Sequence, residues 1–255
     1  MLAATLLPFD ESPPAPQQHE ELRVMESLDM GRTDTRRPMP RRLVGWLIFV
    51  LALTGLAYAS RLSGTETPDD LAYRYSSSIA AVIQYSIMLG ILLLIARGLP
   101  LRDAFALRPP ASWGRALGLA LVALVAIWAI SAALSPFLDA NQEQGLVPDD
   151  WDSSRAGAFA AFFLVVTIVA PAVEELTYRG IGFTLLAPYG TWVAILVTGV
   201  FFGAAHGLLV ALPVLTAFGI VVGWLRARTD SIYPSMLVHA TFNGTALVVS
   251  VAVAG

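Results

Sequence analysis

The chain has 255 residues, 56% of them hydrophobic and 14% charged, with a mean hydropathy of +0.66 and a formal net charge of −3. Soluble domains carry about 25% charged residues, so a soluble globular fold is excluded, and no dense basic surface is available to neutralise nucleic-acid phosphates. There is no cysteine, which excludes disulfides, thiolate catalysis and cysteine-ligated metal or iron–sulfur centres.

In chain order, residues 1–42 read as a disordered cytoplasmic tail, polar and carrying Pro13, Pro14, Pro16 and the acidic pair Glu20-Glu21. Met1 to Leu7 is apolar but short, lacks a basic flank, and does not read as a cleavable signal peptide. His19-Glu20-Glu21-Leu22-Arg23 imitates half of a zinc-binding HExxH helix, but Arg23 stands where the second histidine is needed.

Residues 43–255 read as one membrane domain. Apolar runs at about 43–60, 78–96, 116–134, 156–173, 191–209, 210–225 and from about 232 onward approach the roughly 20 residues of a spanning helix. The expected fold is all-α: a polytopic membrane helical bundle of about seven to eight transmembrane helices, with a catalytic core of the C-terminal helices over about 156–250. Gly180, Gly182 and Pro188-Tyr189-Gly190 are expected to mark a re-entrant or interfacial turn. No internal repeat is visible.

Arg36, Arg37, Arg41 and Arg42 precede the first run, and Arg97, Arg102, Arg108 and Arg115 follow the second. The loop between the third and fourth runs is acidic, with Asp139, Glu143, Asp149, Asp150 and Asp152. The positive-inside rule then makes the N-terminus cytoplasmic. On that reading the fourth run carries Glu174 and Glu175 toward its cytoplasmic end, and cleavage is expected near that face. The chain's compact form points to a bacterial plasma membrane.

Ionisable side chains in apolar runs are costly, and they normally face a protein interior or a wet cavity. Here they are Glu174, Glu175 and Arg179, then His206 one turn after Phe202, then His239 one turn before Asn243. Glu175 and Arg179 are spaced to pair on one helix face. Singly, each has a plain reading: an ion pair, a packed imidazole, or an interhelical hydrogen bond of about 1 kcal/mol. As a set they supply a carboxylate to take a proton from water and neutral donors to hold an oxyanion. No Gly-x-Ser-x-Gly elbow, intramembrane Gly-x-Gly-Asp or complete HExxH offers another hydrolytic route. A proton-coupled transporter is disfavoured by the lack of repeat symmetry.

At these residues the chain resembles the CAAX protease and bacteriocin-processing (CPBP, or Abi) family of intramembrane glutamic endopeptidases, related to the type II CAAX prenyl endopeptidase. The family's Glu-Glu-x-x-x-Arg, Phe-x-x-x-His and His-x-x-x-Asn/Asp motifs are matched in order by Glu174–Arg179, Phe202–His206 and His239–Asn243. The resemblance implies that Glu174 activates water with help from His206, and that His239 and Asn243 form the oxyanion site. It makes Glu175 and Arg179 supporting residues, and Phe202 a wall of the pocket.

The implied function is intramembrane hydrolysis of a peptide bond in a membrane-associated, CAAX-type or other substrate. The enzyme would be a glutamic, or metalloprotease-like, endopeptidase. The alternative is a non-catalytic membrane immunity or scaffold protein that retains the fold. No cofactor is expected; zinc ranks second, with Glu174, His206 and His239 as its ligands by residue type. The expected partners are membrane lipids and a peptide or lipidated-protein substrate, with no nucleic acid. The oligomeric state is not legible.

Overall fold

The computed structural model describes residues 40–63, 70–138, 148 and 151–253, all within the compact unit Pro38–Gly255. Residues 1–39, with the tail's prolines and the His19–Arg23 stretch, lie outside the described residues, as do Asp139, Glu143, Asp149 and Asp150.

Among the described residues seven principal helices follow the seven apolar runs: α1 (Pro40–Leu62), α2 (Tyr75–Ile95), α3 (Trp113–Leu134), α4 (Ser153–Tyr189), α5 (Thr191–Ala204), α6 (Leu212–Thr229) and α7 (Tyr233–Val253). Among the described residues there is no strand, and the chain is an all-α polytopic bundle. Five helices, α1 to α4 and α7, are long and apolar enough to cross a membrane. The other two are not. At 14 residues α5 reaches about 21 Å, short of a hydrocarbon core of about 30 Å. The last turn of α6 carries Arg226 and Arg228.

Two expectations need correction. The fourth helix does not end before the glutamates but runs 37 residues, from Ser153 to Tyr189, which puts Glu174 and Glu175 well inside it. Hydropathy truncated it because the carboxylates interrupt the apolar run, although protein rather than lipid surrounds them. Nor do Gly180 and Gly182 form a turn. The helical path continues through them as a π-helical segment kinked at Gly180, because both positions admit close neighbours. A Cβ at Gly182 would strike the Trp46 indole, and one at Gly180 would lie 3.0 Å from the Phe105 ring. The turn comes at Ala187–Tyr189 and closes at Gly190, whose φ of +127° is accessible to glycine.

Two π-helical segments, Val165–Val169 and Leu176–Gly182, flank Ala170–Glu175 within α4. Such segments disturb the regular backbone ladder, and side chains of three other helices bond carbonyls within them. Asn243 of α7 donates to Val166 O at 3.0 Å, Trp46 of α1 to Thr177 O at 2.9 Å, and Arg226 of α6 to Arg179 O at 3.1 Å. α4 is thereby fixed in rotation from three sides.

Against it sit α5 and α6, each with a Gly-x-x-x-Gly stripe: Gly199/Gly203 and Gly219/Gly223. A Cβ at Gly199 would meet the Ile220 backbone N at 2.9 Å, and one at Gly219 the Gly199 carbonyl oxygen at 2.7 Å. Small residues let membrane helices approach to backbone contact. The core around this pair includes Trp46, Leu92, Ile127, Ile181, Phe202 and Val222, all buried.

The two ends of the bundle differ in charge. At one end Arg42 donates to Arg97 O, and Arg108 and Arg226 both pair with Asp230. At the other, Asp70, Arg74, Asp152 and Arg155 join the start of α2 to the start of α4. There the Arg155 guanidinium lies over the Tyr73 ring. Asp152 is pulled down to about 2, chiefly by its hydrogen bonds from Ser154 and Arg155.

Candidate active site

The side chains singled out in the sequence converge. Glu174, Phe202, His206, His239 and Asn243 line one cavity of about 430 Å³ walled by residues of α2 through α7. Its other walls are mainly apolar, with Ala170, Val214, Leu215, Phe218 and Phe242 prominent. The cavity lies between Glu174 and the end of the bundle away from Arg97, Arg108 and Arg226, since the end of α3 and the turn after it (Ser131, Ser135) and the start of α6 (Val214) line it. The glutamates themselves lie in the half of α4 nearer its end at Tyr189.

The adjacent glutamates divide their partners. Glu175 is fully buried; its Oε1 accepts from Arg179 Nη1 at 3.1 Å and from His239 Nδ1 at 3.0 Å. Arg179, also fully buried, donates through Nη2 to Gly219 O at 2.7 Å and stacks 4.7 Å above the Phe202 ring. Glu175 Oε2 and Arg179 Nε have no hydrogen-bond partner among the described residues. Glu174, about 100° further round the helix, has no arginine. Its Oε1 accepts from the Tyr85 hydroxyl at 2.6 Å, and its Oε2 lies 3.7 Å from His239 Nε2.

The two imidazoles are fixed differently. His206 follows the end of α5 rather than lying within it; Gly207, at φ +67°, turns the chain there. Its Nδ1 bonds Phe202 O at 2.8 Å. A carbonyl can only accept, so Nδ1 carries the proton and Nε2 is left as the nitrogen available to the cavity. His239 is buried and gives its Nδ1–H to Glu175, so its Nε2 is an acceptor in the neutral ring and a donor only in the imidazolium. Phe202 is the hub: its ring packs on His206 at 4.9 Å, His239 at 5.4 Å, Phe218 at 5.3 Å and Tyr178 at 5.5 Å. Asn243 gives one amide hydrogen to Val166 O and keeps a second.

Sequence reasoning passed over two contributors, Tyr85 on α2 and Phe218 on α6. Tyr85 offered a signal, a phenol amid an apolar run that must find a partner when buried. Phe218 offered none, being one apolar residue among many.

Glu174 and His206 have the chemistry of metal ligands, and both reach the cavity. His239 has Nδ1 committed to Glu175, and the described residues contain no group of three His, Cys, Asp or Glu side chains placed to hold a metal ion. No step is routed through a metal; were one bound, Glu174, His206 and His239 through Nε2 would be its ligands by residue type.

Fold and site define an integral membrane helical protein with a polar, carboxylate-bearing cavity inside its bundle. Residues 156–245 match the family described as type II CAAX prenyl endopeptidase Rce1-like, a protease family, which bears out the resemblance read from the three motifs. No curated protein and no solved structure matches the chain.

Proposed function

We propose that the protein is an intramembrane endopeptidase in which Glu174 is the general base. The observation that carries this reading is that all four nominated catalytic side chains share one cavity, in which Glu174 is a carboxylate without an arginine bonded to it. Glu174 Oε2 accepts a proton from water, and the resulting hydroxide adds to the scissile carbonyl carbon. The second amide hydrogen of Asn243 and the His239 ring beside it form the oxyanion site. As the tetrahedral species collapses, the C–N bond breaks and the proton on Glu174 passes to the leaving amine. His206, through Nε2, orients the water. Glu175 and Arg179 hold His239 and the α4–α6 contact. The membrane domain of this reading is 43–255, with its catalytic core at about 156–250.

The test is cleavage by the full chain in liposomes, with a farnesylated CAAX peptide and a library of membrane peptides. Wild type cleaves; Glu174→Gln is slower by at least about a hundredfold, within the range for loss of a general base; a chelator changes nothing. Chelator-sensitive cleavage contradicts the metal-free mechanism. No cleavage by folded wild type favours the immunity or scaffold alternative.

The arginine-rich end supports a cytoplasmic N-terminus in a bacterial plasma membrane. On that orientation the cavity serves the extracytoplasmic half of the bilayer, and a membrane peptide entering from that half is the first substrate to try. A chain without cysteine makes this directly measurable. Ser135→Cys, at the cavity wall, is expected to react with a membrane-impermeant maleimide from outside intact cells, and Arg228→Cys only after lysis. The reverse pattern overturns the orientation.

A further inference from the structure

The polar centre read from the motifs is confined to α4–α7, yet the hydrogen bond to its proposed base comes from α2. Among the described residues the Tyr85 hydroxyl is the only group hydrogen-bonded to Glu174, and Tyr85 is the only residue of α2 that lines the cavity. Tyr85 lies outside the family match at 156–245. Its 2.6 Å contact is in the range of a charge-assisted O–H···O⁻ bond.

The direction of that bond follows from chemistry. An ionised carboxylate only accepts, so the phenol donates and takes up Oε1. Oε2 is then the oxygen left toward His239 Nε2 and the cavity. A glutamate has three rotatable side-chain bonds, and freezing them costs conformational entropy. Arg179, which freezes Glu175, gives its hydrogen bonds to Glu175 and Gly219 and none to Glu174. Among the described residues only Tyr85 hydrogen-bonds the Glu174 carboxyl group, while His239 Nε2 stands 3.7 Å from its other oxygen.

We propose that Tyr85 is a positioning residue for the hydrolysis, its hydroxyl holding Oε1 of Glu174 so that Oε2 is the oxygen presented to water. This rests on reading Glu174 as the general base. The same bond survives the proton transfer: when Oε2 takes the water proton, Oε1 becomes the carbonyl oxygen of the acid and still accepts from Tyr85. The carboxyl group therefore need not reorient between taking the proton and delivering it to the amine. α2 is thus part of the site and not only a wall of the bundle.

The experiment compares wild type, Glu174→Gln, Tyr85→Phe and the chain with para-aminophenylalanine in place of Tyr85, each full length in liposomes. The probes are a fluorogenic membrane peptide and a fluorogenic farnesylated CAAX peptide. Removing the hydroxyl is expected to lower kcat about tenfold with KM changed less than about twofold, the size of one hydrogen bond to a charged group. The amino group restores most of kcat, because it returns a donor to the same place. An unchanged kcat in Tyr85→Phe, or a loss that the amino group does not restore, overturns the proposal while leaving Glu174 as the base.

A second readout needs no turnover. The infrared carboxylate band that disappears in Glu174→Gln is expected to shift in Tyr85→Phe and to return with para-aminophenylalanine. A band that stays in place overturns the proposal. Wild type inert on every peptide, with the band shift present, overturns the peptidase reading and the role in hydrolysis with it, but not the hydrogen bond.

Discussion

Asp230 and Glu175 each hold two cationic or imidazole partners, in opposite surroundings. Asp230 stands at the arginine-rich end of the bundle, 69% exposed, bonded by Arg108 and Arg226. Glu175 is fully buried mid-bundle, bonded by Arg179 and His239. An exposed pair gains little over water. A buried pair has lost its hydration, and each partner then depends on the other. Glu174 differs from both, for it is nearly buried, at 14% exposure, yet has no arginine. The neutralised carboxylate next to it carries the structure, which leaves Glu174 available for a proton.

The sharpest way to break this contrast is to remove one half of the buried pair. Glu175→Ala is expected to cost about 3–5 kcal/mol of stability by stranding Arg179 in the core, read as a large fall in melting temperature in detergent. Adding Arg179→Met, which removes the second charge, should recover much of that fall. If the double variant is worse than the single, the pair is not the coupled unit described here.

At the other extreme, Asp230→Asn is expected to change stability by less than about 1 kcal/mol. Partial burial pushes the Asp230 carboxyl up, but the Arg108 hydrogen bond and the Arg226 charge together outweigh it and hold the group below its ordinary value. A lowered folded-state value means that the carboxylate's contribution is present above the ordinary carboxylate range and is lost as pH falls through the lowered value. The small difference in melting temperature between wild type and Asp230→Asn should therefore be constant near neutrality and vanish in acid. A difference that grows on acidification contradicts the assignment.

Much of this was legible in the sequence, for identifiable reasons. The seven apolar runs map onto seven helices because hydropathy reports what lipid demands of a helix exterior. The motif residues converge because polar groups in a membrane must find one another. What failed was local. The run containing Glu174 was cut short, since hydropathy registers the charge of a carboxylate and not the protein packed around it. Gly180 and Gly182 read as a turn, though they make room for Phe105 and Trp46. Tyr85 was passed over because its partner lies 89 residues away, and no spacing rule reaches across helices.

The most direct measurement is the cleavage rate and the melting temperature of Glu174→Gln, determined on the same preparation as wild type. The expected result is a rate lower by at least about a hundredfold with a melting temperature close to wild type, since the amide can still accept from Tyr85. Retained cleavage, or a rate that falls only in step with loss of folded protein, would contradict the division of labour between Glu174 and Glu175.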